Sequence, residues 1–122
     1  MSEVRFMVYD GKQVLLMDFA SLAEVELLPK LVDESIELVK SVDARRSVLA
    51  LMDLSNTRIN RAVIASLKRL SQNNGPYIKA ITFVGLSPMW AFGVSILLRV
   101  TKRRNHKVVR VRGRALDWLV RQ

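Results

Sequence analysis

Leu49 to Ala62 reads LALMDLSNTRINRA, and its change of character at Asp53 decides how the chain is organised. The run Ser47 to Asp53 is short and almost wholly apolar, the pattern of a strand buried on both faces of a parallel sheet. An aspartate at the end of such a strand can accept backbone N–H bonds from Ser55 or Asn56 and so shape a turn. Asn60 is suited to cap a following helix, because its side-chain oxygen satisfies early N–H groups that have no partner in the helix. Val63, Ile64, Leu67 and Leu70 then recur at helical spacing and are expected to be buried. Asn73-Asn74-Gly75-Pro76 is expected to stop that helix with a glycine and then a proline.

The same reasoning extends in both directions. Val4 to Tyr9 and Gln13 to Met17 flank Asp10-Gly11-Lys12, a turn signal, and predict a β-hairpin. Ser21 and Glu24 have capping-box spacing. Leu28, Leu31, Val32, Ser35, Ile36 and Val39 predict a helix over about 26–42, with Pro29 in its first turn, where a missing N–H costs least. Ile78 to Val84 is a second buried strand. Ser87-Pro88 opens a third helix, serine as cap and proline at the first helical position. Val108 to Val111 is expected to be a short strand and Arg114 to Val120 a last helix. The order β-β-α-β-α-β-α-β-α predicts an α/β fold: an N-terminal hairpin and a mixed sheet with helices packed on it, its later strands joined by right-handed parallel crossovers. No repeat, low-complexity segment or long linker divides residues 1–122, so a single domain is expected.

Composition limits the function. The chain of 122 residues has no cysteine, which excludes disulfides and thiolate metal sites. Its N-terminus, MSEVRFMVYDGK, lacks a basic leader followed by an apolar core, so no secretory signal is expected. The longest apolar-or-small run, Met89 to Leu98, is about half of the roughly 20 residues a membrane-spanning helix needs. A soluble, cytoplasmic domain is the expectation. The net charge of +9 is uneven: residues 1–98 balance to +1, whereas residues 99–122 carry nine basic side chains against Asp117 alone. That basic patch includes Arg99, Lys102, Arg103, Arg104, Lys107, Arg110 and Arg112. It reads as a solvated face or as a surface attracting phosphate groups.

Catalytic readings find little support. His106 is the only histidine and lies in KRRNHK, away from any nucleophile-elbow glycines. One histidine and scattered carboxylates do not make a metal site, and no phosphate-binding glycine loop is present. A strand-ending aspartate is also shared with phospho-acceptor receiver domains. Those require an acidic pair after the first strand, where this chain has a hairpin ending in YDGK.

The motifs VLALMDLSNTRIN (48–60), NNGPYIKAITFVGLS (73–87), RALDWLV (114–120) and MDFASL (17–22) occur in an order and spacing that resemble the STAS-like proteins. These are small bacterial domains related to the anti-sigma-factor antagonist SpoIIAA, and the chain is particularly similar to their STAS/SEC14-like branch. The resemblance covers nearly the whole chain and implies the SpoIIAA-like fold and a binding surface at the strand–helix junction. In the phosphorylatable antagonists Asp-Leu-Ser is followed by Asp-Ser-Ser-Gly, whose serine an anti-sigma kinase modifies. Here Asp53-Leu54-Ser55 is present, but the acceptor region reads Asn60-Arg61-Ala62-Val63, with no hydroxyl. A phosphate switch would have to use Ser55 or Thr57.

Two surfaces therefore stand out. Asp53, Ser55, Asn56, Thr57, Arg58 and Asn60 form a polar cluster at the carboxyl end of a parallel strand, where open sheets bind ligands. The third helix is apolar around nearly its whole circumference, and Met89, Trp90, Phe92 and Leu97 are its candidate interface. The expected function is non-enzymatic protein binding in regulation, without cofactor or metal. The alternative is lipid or small apolar ligand binding, or peripheral membrane association, through residues 89–104. The expected partner is an unidentified protein, with a homodimer and an anionic lipid surface as further candidates. Nucleic acid is disfavoured, because no aromatic residues interleave the basic run.

Overall fold

A computed structural model describes residues 3–19, 28–42, 47–57, 60–100 and 106–122, the side chains of residues 95 and 97–100 excepted. Strand β1 (Glu3–Tyr9) and β2 (Lys12–Asp18) form the hairpin, closed by Asp10 and Gly11, both at positive φ (49° and 78°). Helix α1 (Leu28–Lys40) leads to β3 (Val48–Asp53), then α2 (Arg61–Asn74), a 3-10 turn (Gly75–Tyr77) and β4 (Ile78–Val84). Helix α3 (Pro88–Val100), β5 (His106–Val109) and α4 (Arg112–Leu119) complete the chain.

The sheet has the order β1-β2-β3-β4-β5, antiparallel in the hairpin and parallel at every later pairing. Each crossover advances by one strand in the same direction, so a common hand places every crossover helix on one face. Accordingly Leu15, Met17, Ala50 and Met52 pack with Leu28, Val32 and Val39 of α1, Val63 and Leu70 of α2, and half-buried Val94 of α3. The alternate residues Val14, Leu16, Leu49, Leu51, Ala80 and Val84 point the other way. They are covered by Ala115, Leu116 and Leu119 of α4. Two-sided burial is why β3 is apolar at every position but its last.

Several boundaries differ from the sequence expectation for local reasons. Asn60 caps α2 as expected, its Oδ1 accepting from the Val63 amide at 3.0 Å. Helix α2 stops at Asn74 as expected, with Gly75 as its C-cap in a right-handed conformation (φ −49°, ψ −44°), and the chain tightens into the 3-10 turn with Pro76 near its start. Ile64 is not buried but 43% exposed, because the α2 stripe that meets the sheet is Val63, Leu67 and Leu70. The last strand and helix begin two residues before the expected 108 and 114. The capping-box pair Ser21 and Glu24 lies outside the described residues.

Polar groups inside the main core are mostly paired. Ser35, on the apolar stripe of α1, accepts from Asn74 Nδ2 at 3.1 Å and reaches Met17 Sδ at 3.4 Å, tying α1 to α2 and β2. Arg69 joins the same helices from outside through Asp33 at 2.7 Å. Under α4, Thr82 is fully buried and its hydroxyl has no partner among the described residues. A buried unpaired hydroxyl retains its desolvation cost, so Thr82→Val should raise stability by about 1 kcal/mol. Chemical denaturation with an unchanged m value is the check.

Candidate functional site

The carboxyl ends of β2, β3 and β4 gather the polar turn flagged in the sequence. Asp18 and Asp53 stand opposite one another in the β2–β3 register, on the same face. Adjacent strands are only about 4.8 Å apart, so two carboxylates are brought together beneath little solvent. The arginine at the start of α4 resolves the repulsion: Arg112 Nη2 lies 2.7 Å from Asp53 Oδ2 and 3.1 Å from Asp18 Oδ2. The other Asp53 oxygen accepts the Ser55 amide at 2.9 Å, which bends the chain out of the strand. Leu54 N–H continues the ladder to the Val84 carbonyl at 2.9 Å.

The titration of Asp53 follows from these contacts. Burial pushes its carboxyl up, but hydrogen bonds from Ser55 and then Arg112 outweigh burial and hold it below the ordinary carboxylate value. For Arg112, burial likewise works against the charge, and the two aspartates overcome it, so its pKa is raised. At the other end of α4, Tyr9 donates to Asp117 at 2.6 Å and Lys12 donates to the Val120 carbonyl at 2.5 Å. That hydrogen bond to Asp117 is the main reason Tyr9 titrates above its ordinary value.

Two sequence assignments change here. Asp53 does not belong to an exposed binding surface: it is buried, and both of its oxygens are engaged within the protein. Arg112 is not merely a solvated member of the basic patch: partly buried, it clamps Asp18 and Asp53. Its partners are more than fifty residues away in sequence, so no local pattern announces the pairing. Lys107 and Arg110 are exposed as expected of that patch. Arg58, Lys102, Arg103 and Arg104, and the side chains of Arg99 and Leu97, lie outside the described residues.

What remains of the polar cluster forms one wall of a cavity. Ser55 packs against Gly85, Asn56 takes a positive φ of 58°, and the Thr57 hydroxyl donates to the Phe19 carbonyl. Asn60 is spent on capping α2. A half-open cavity of about 230 Å³ is lined by Leu54, Asn56, Thr57, Gly85, Leu86, Ser87 and Trp90. Its rim continues onto α3, where Met89, Phe92 and Ile96 are 74%, 69% and 45% exposed. Their spacing places them on one stripe of the helix. Trp90 is half-buried towards the cavity, and Ile96 is a member of the ridge that the sequence reading missed. No group of three or more His, Asp or Glu side chains able to hold a metal occurs among the described residues.

The fold has a solved counterpart. It is similar to the crystal structure of an uncharacterized protein from the DUF3478 family with a SpoIIAA-like fold, from Shewanella loihica PV-4. The TM-score is 0.70 at 14% sequence identity, covering 98% of this chain and 95% of that one. No protein-family model and no curated protein matches the chain. The protein therefore has a SpoIIAA-like fold, with a five-stranded mixed sheet and four α-helices among the described residues, as the motifs implied. Among the described residues no helix is long and apolar enough to cross a membrane.

Two outcomes test this geometry. Asp53 has a lowered folded-state pKa, so its contribution to stability is complete above the unfolded value, about 4, and is lost as pH falls through the folded one. Arg112→Leu should cost about 2 to 3 kcal/mol at neutral pH, below the full cost of breaking a buried pair because the guanidinium is 39% exposed. It should also flatten the acid limb of stability measured by urea melts across pH. Separately, a Cβ on Gly85 (φ 80°) would fall 2.0 Å from Ser55 Oγ and 2.6 Å from Ser55 Cα. Gly85→Ala should therefore cost at least about 2 kcal/mol, visible as a lowered melting temperature.

Proposed function

We propose that this is a non-enzymatic STAS-like domain that works by binding another protein through the outer ridge of α3 and the cavity beside it. The observation that carries the reading is the row Met89, Phe92 and Ile96, left in solvent on a helix that ordinary packing would bury. A large aromatic within an apolar stripe, bordered by exposed polar groups such as Asn56 and Ser87, has the composition of a protein interface with a polar rim. The hydroxyls and carboxylates of the neighbouring turn support the same reading. Asp53 and Thr57 hold the turn together, and Ser55 is wedged against Gly85 with its hydrogen bonds directed to Asp53, whose carboxylate is held by Arg112. The acceptor-less sequence Asn60 to Val63 also favours a binding surface that is not switched at the helix start.

A second reading rests on the same ridge. Met89, Phe92 and Ile96 precede Arg99, Lys102, Arg103 and Arg104 in the chain, the apolar-then-basic order of a segment that attaches to anionic lipid.

The two are separated by one comparison. The wild type and Phe92→Glu are used to capture proteins from a lysate of the native organism, with Ile64→Glu as an exposed apolar control elsewhere. A stoichiometric protein captured by the wild type and by Ile64→Glu, and lost by at least about tenfold with Phe92→Glu, is the expected result. Binding to anionic vesicles that weakens steeply with salt, with no protein captured, selects the lipid reading instead.

A further inference from the structure

Strand β1 is the outer strand of the sheet, and its free edge has an internal symmetry. The two-residue turn Asp10-Gly11, with both φ values positive, makes Tyr9 and Lys12 a narrow pair that exchanges both of its backbone bonds. From there the ladder runs without a shift to Glu3 and Asp18. In such a ladder alternate residues face the partner strand, so the N–H and C=O groups of residues 3, 5, 7 and 9 are turned to β2. Those of Val4, Phe6 and Val8 are turned outward. Among the described residues no backbone bond from another element reaches them.

Natural edge strands carry devices against further pairing: proline, a bulge, a central lysine or an inward charge. Between Val4 and Tyr9 the only charge is Arg5, which is neutralised by Glu3 at 3.0 Å. There is no proline and no bulge. Val8 is 73% exposed, although it shares the face on which Val4 and Phe6 pack against the core.

We infer that β1 pairs with β1 of a second copy, antiparallel about a two-fold axis through Phe6 and perpendicular to the sheet. In that register Phe6 opposes Phe6, and Val4 opposes Val8 of the other copy. All outward backbone groups of the three residues then fall in pairs that exchange both bonds. Even-numbered side chains meet even-numbered ones, so the two apolar faces join and exposed Val8 gains a β-branched neighbour. A shift by two residues in either direction leaves one end of each edge unpaired, which makes this register the favoured one. The occupant is a second copy because the edge is complementary to itself: Val4 and Val8 are equally far from Phe6, and the strand is neutral in a chain of net charge +9. The opposite edge, β5, has four residues and the exposed cations Lys107 and Arg110 about it, four strands and about 19 Å away.

The two five-stranded sheets become one of ten strands. Because the axis is perpendicular to the sheet, α1 to α3 of both copies lie on the same side and the α3 ridges sit at its two ends. The dimer would hold two partner surfaces apart and unobstructed, and so bind an array of partners with avidity. The pairing itself does not depend on the function proposed for those ridges.

Sedimentation velocity from low to high micromolar concentration, combined with backbone amide exchange, provides the test. The expected result is a monomer–dimer equilibrium that Val8→Pro weakens by about tenfold or more, because proline removes an outward N–H and leaves the β1–β2 ladder intact. Val8→Ile should retain the dimer. In the dimer the amides of Val4, Phe6 and Val8 should exchange slowly, and in Val8→Pro those of Val4 and Phe6 should exchange fast; Arg5 and Met7 stay slow in both. A protein that is monomeric throughout, outward amides that exchange fast in a dimer, or a dimer that survives Val8→Pro and is lost in Phe92→Glu overturns the inference. A failure to capture any partner through α3 leaves these readouts unaffected.

Discussion

Two aspartates at the same level of neighbouring parallel strands, and the arginine that lies against both, hold the far side of the sheet in place. Asp18 and Asp53 are side by side because of the β2–β3 register, and one face of that register is closed by α4. Like charges so close and so little hydrated would oppose the pairing of the strands unless a cation were supplied. Arg112 supplies it from the first turn of α4, with its planar donors spread across both carboxylates. The contact thus does two things at once: it permits the strand pairing and it fixes where the last helix lands. The carboxylates also lie at the helix N-terminal end, where its dipole favours negative charge.

The weight placed on that contact follows from the topology. A sheet whose strands are added one after another in a single direction receives all of its crossover helices on one face. The other face would remain open over Val14, Leu16, Leu49, Leu51 and Ala80 without a helix that follows the last strand. Helix α4 is only eight residues long, too short to be stable through its own backbone bonds. It is held at its start by Arg112 and near its end by Tyr9 and Lys12, with Ala115, Leu116 and Leu119 buried between. The apolar residues supply area and the polar ones supply position.

The candidate site is built from what this framework leaves over. Asp53 turns the chain at Ser55, which rests on Gly85, so the β3–α2 and β4–α3 loops meet at close range. The cavity lies at that meeting, lined by residues of both loops and by Trp90 of α3. Helix α3 then touches the main cluster through Val94 while Met89, Phe92 and Ile96 look outward.

Much of this was legible in the sequence where the deciding forces are local. The hairpin follows from Asp10-Gly11, the capping of α2 from Asn60, the buried strands from the apolar run at 48–52 and the mostly apolar run at 80–84, broken only by Thr82, and the Asp53 turn from a carboxylate two residues ahead of an amide. The motifs around Asp53-Leu54-Ser55 carried the fold class, because order and spacing along the chain are properties of the sequence itself. Exposure was not legible. Ile64 and Val63 are adjacent and equally apolar, and only the angle at which α2 meets the sheet sends one inward and the other to solvent. The near-uniform apolarity of α3 left burial and interface equally open, and only the tertiary packing shows that Met89 and Phe92 are exposed. Arg112 was indistinguishable from the other basic residues of the C-terminal segment. Its role required Asp18 and Asp53 to be brought together from distant parts of the chain, and only the tertiary fold does that, because charge pairing acts through space and carries no signature along the sequence.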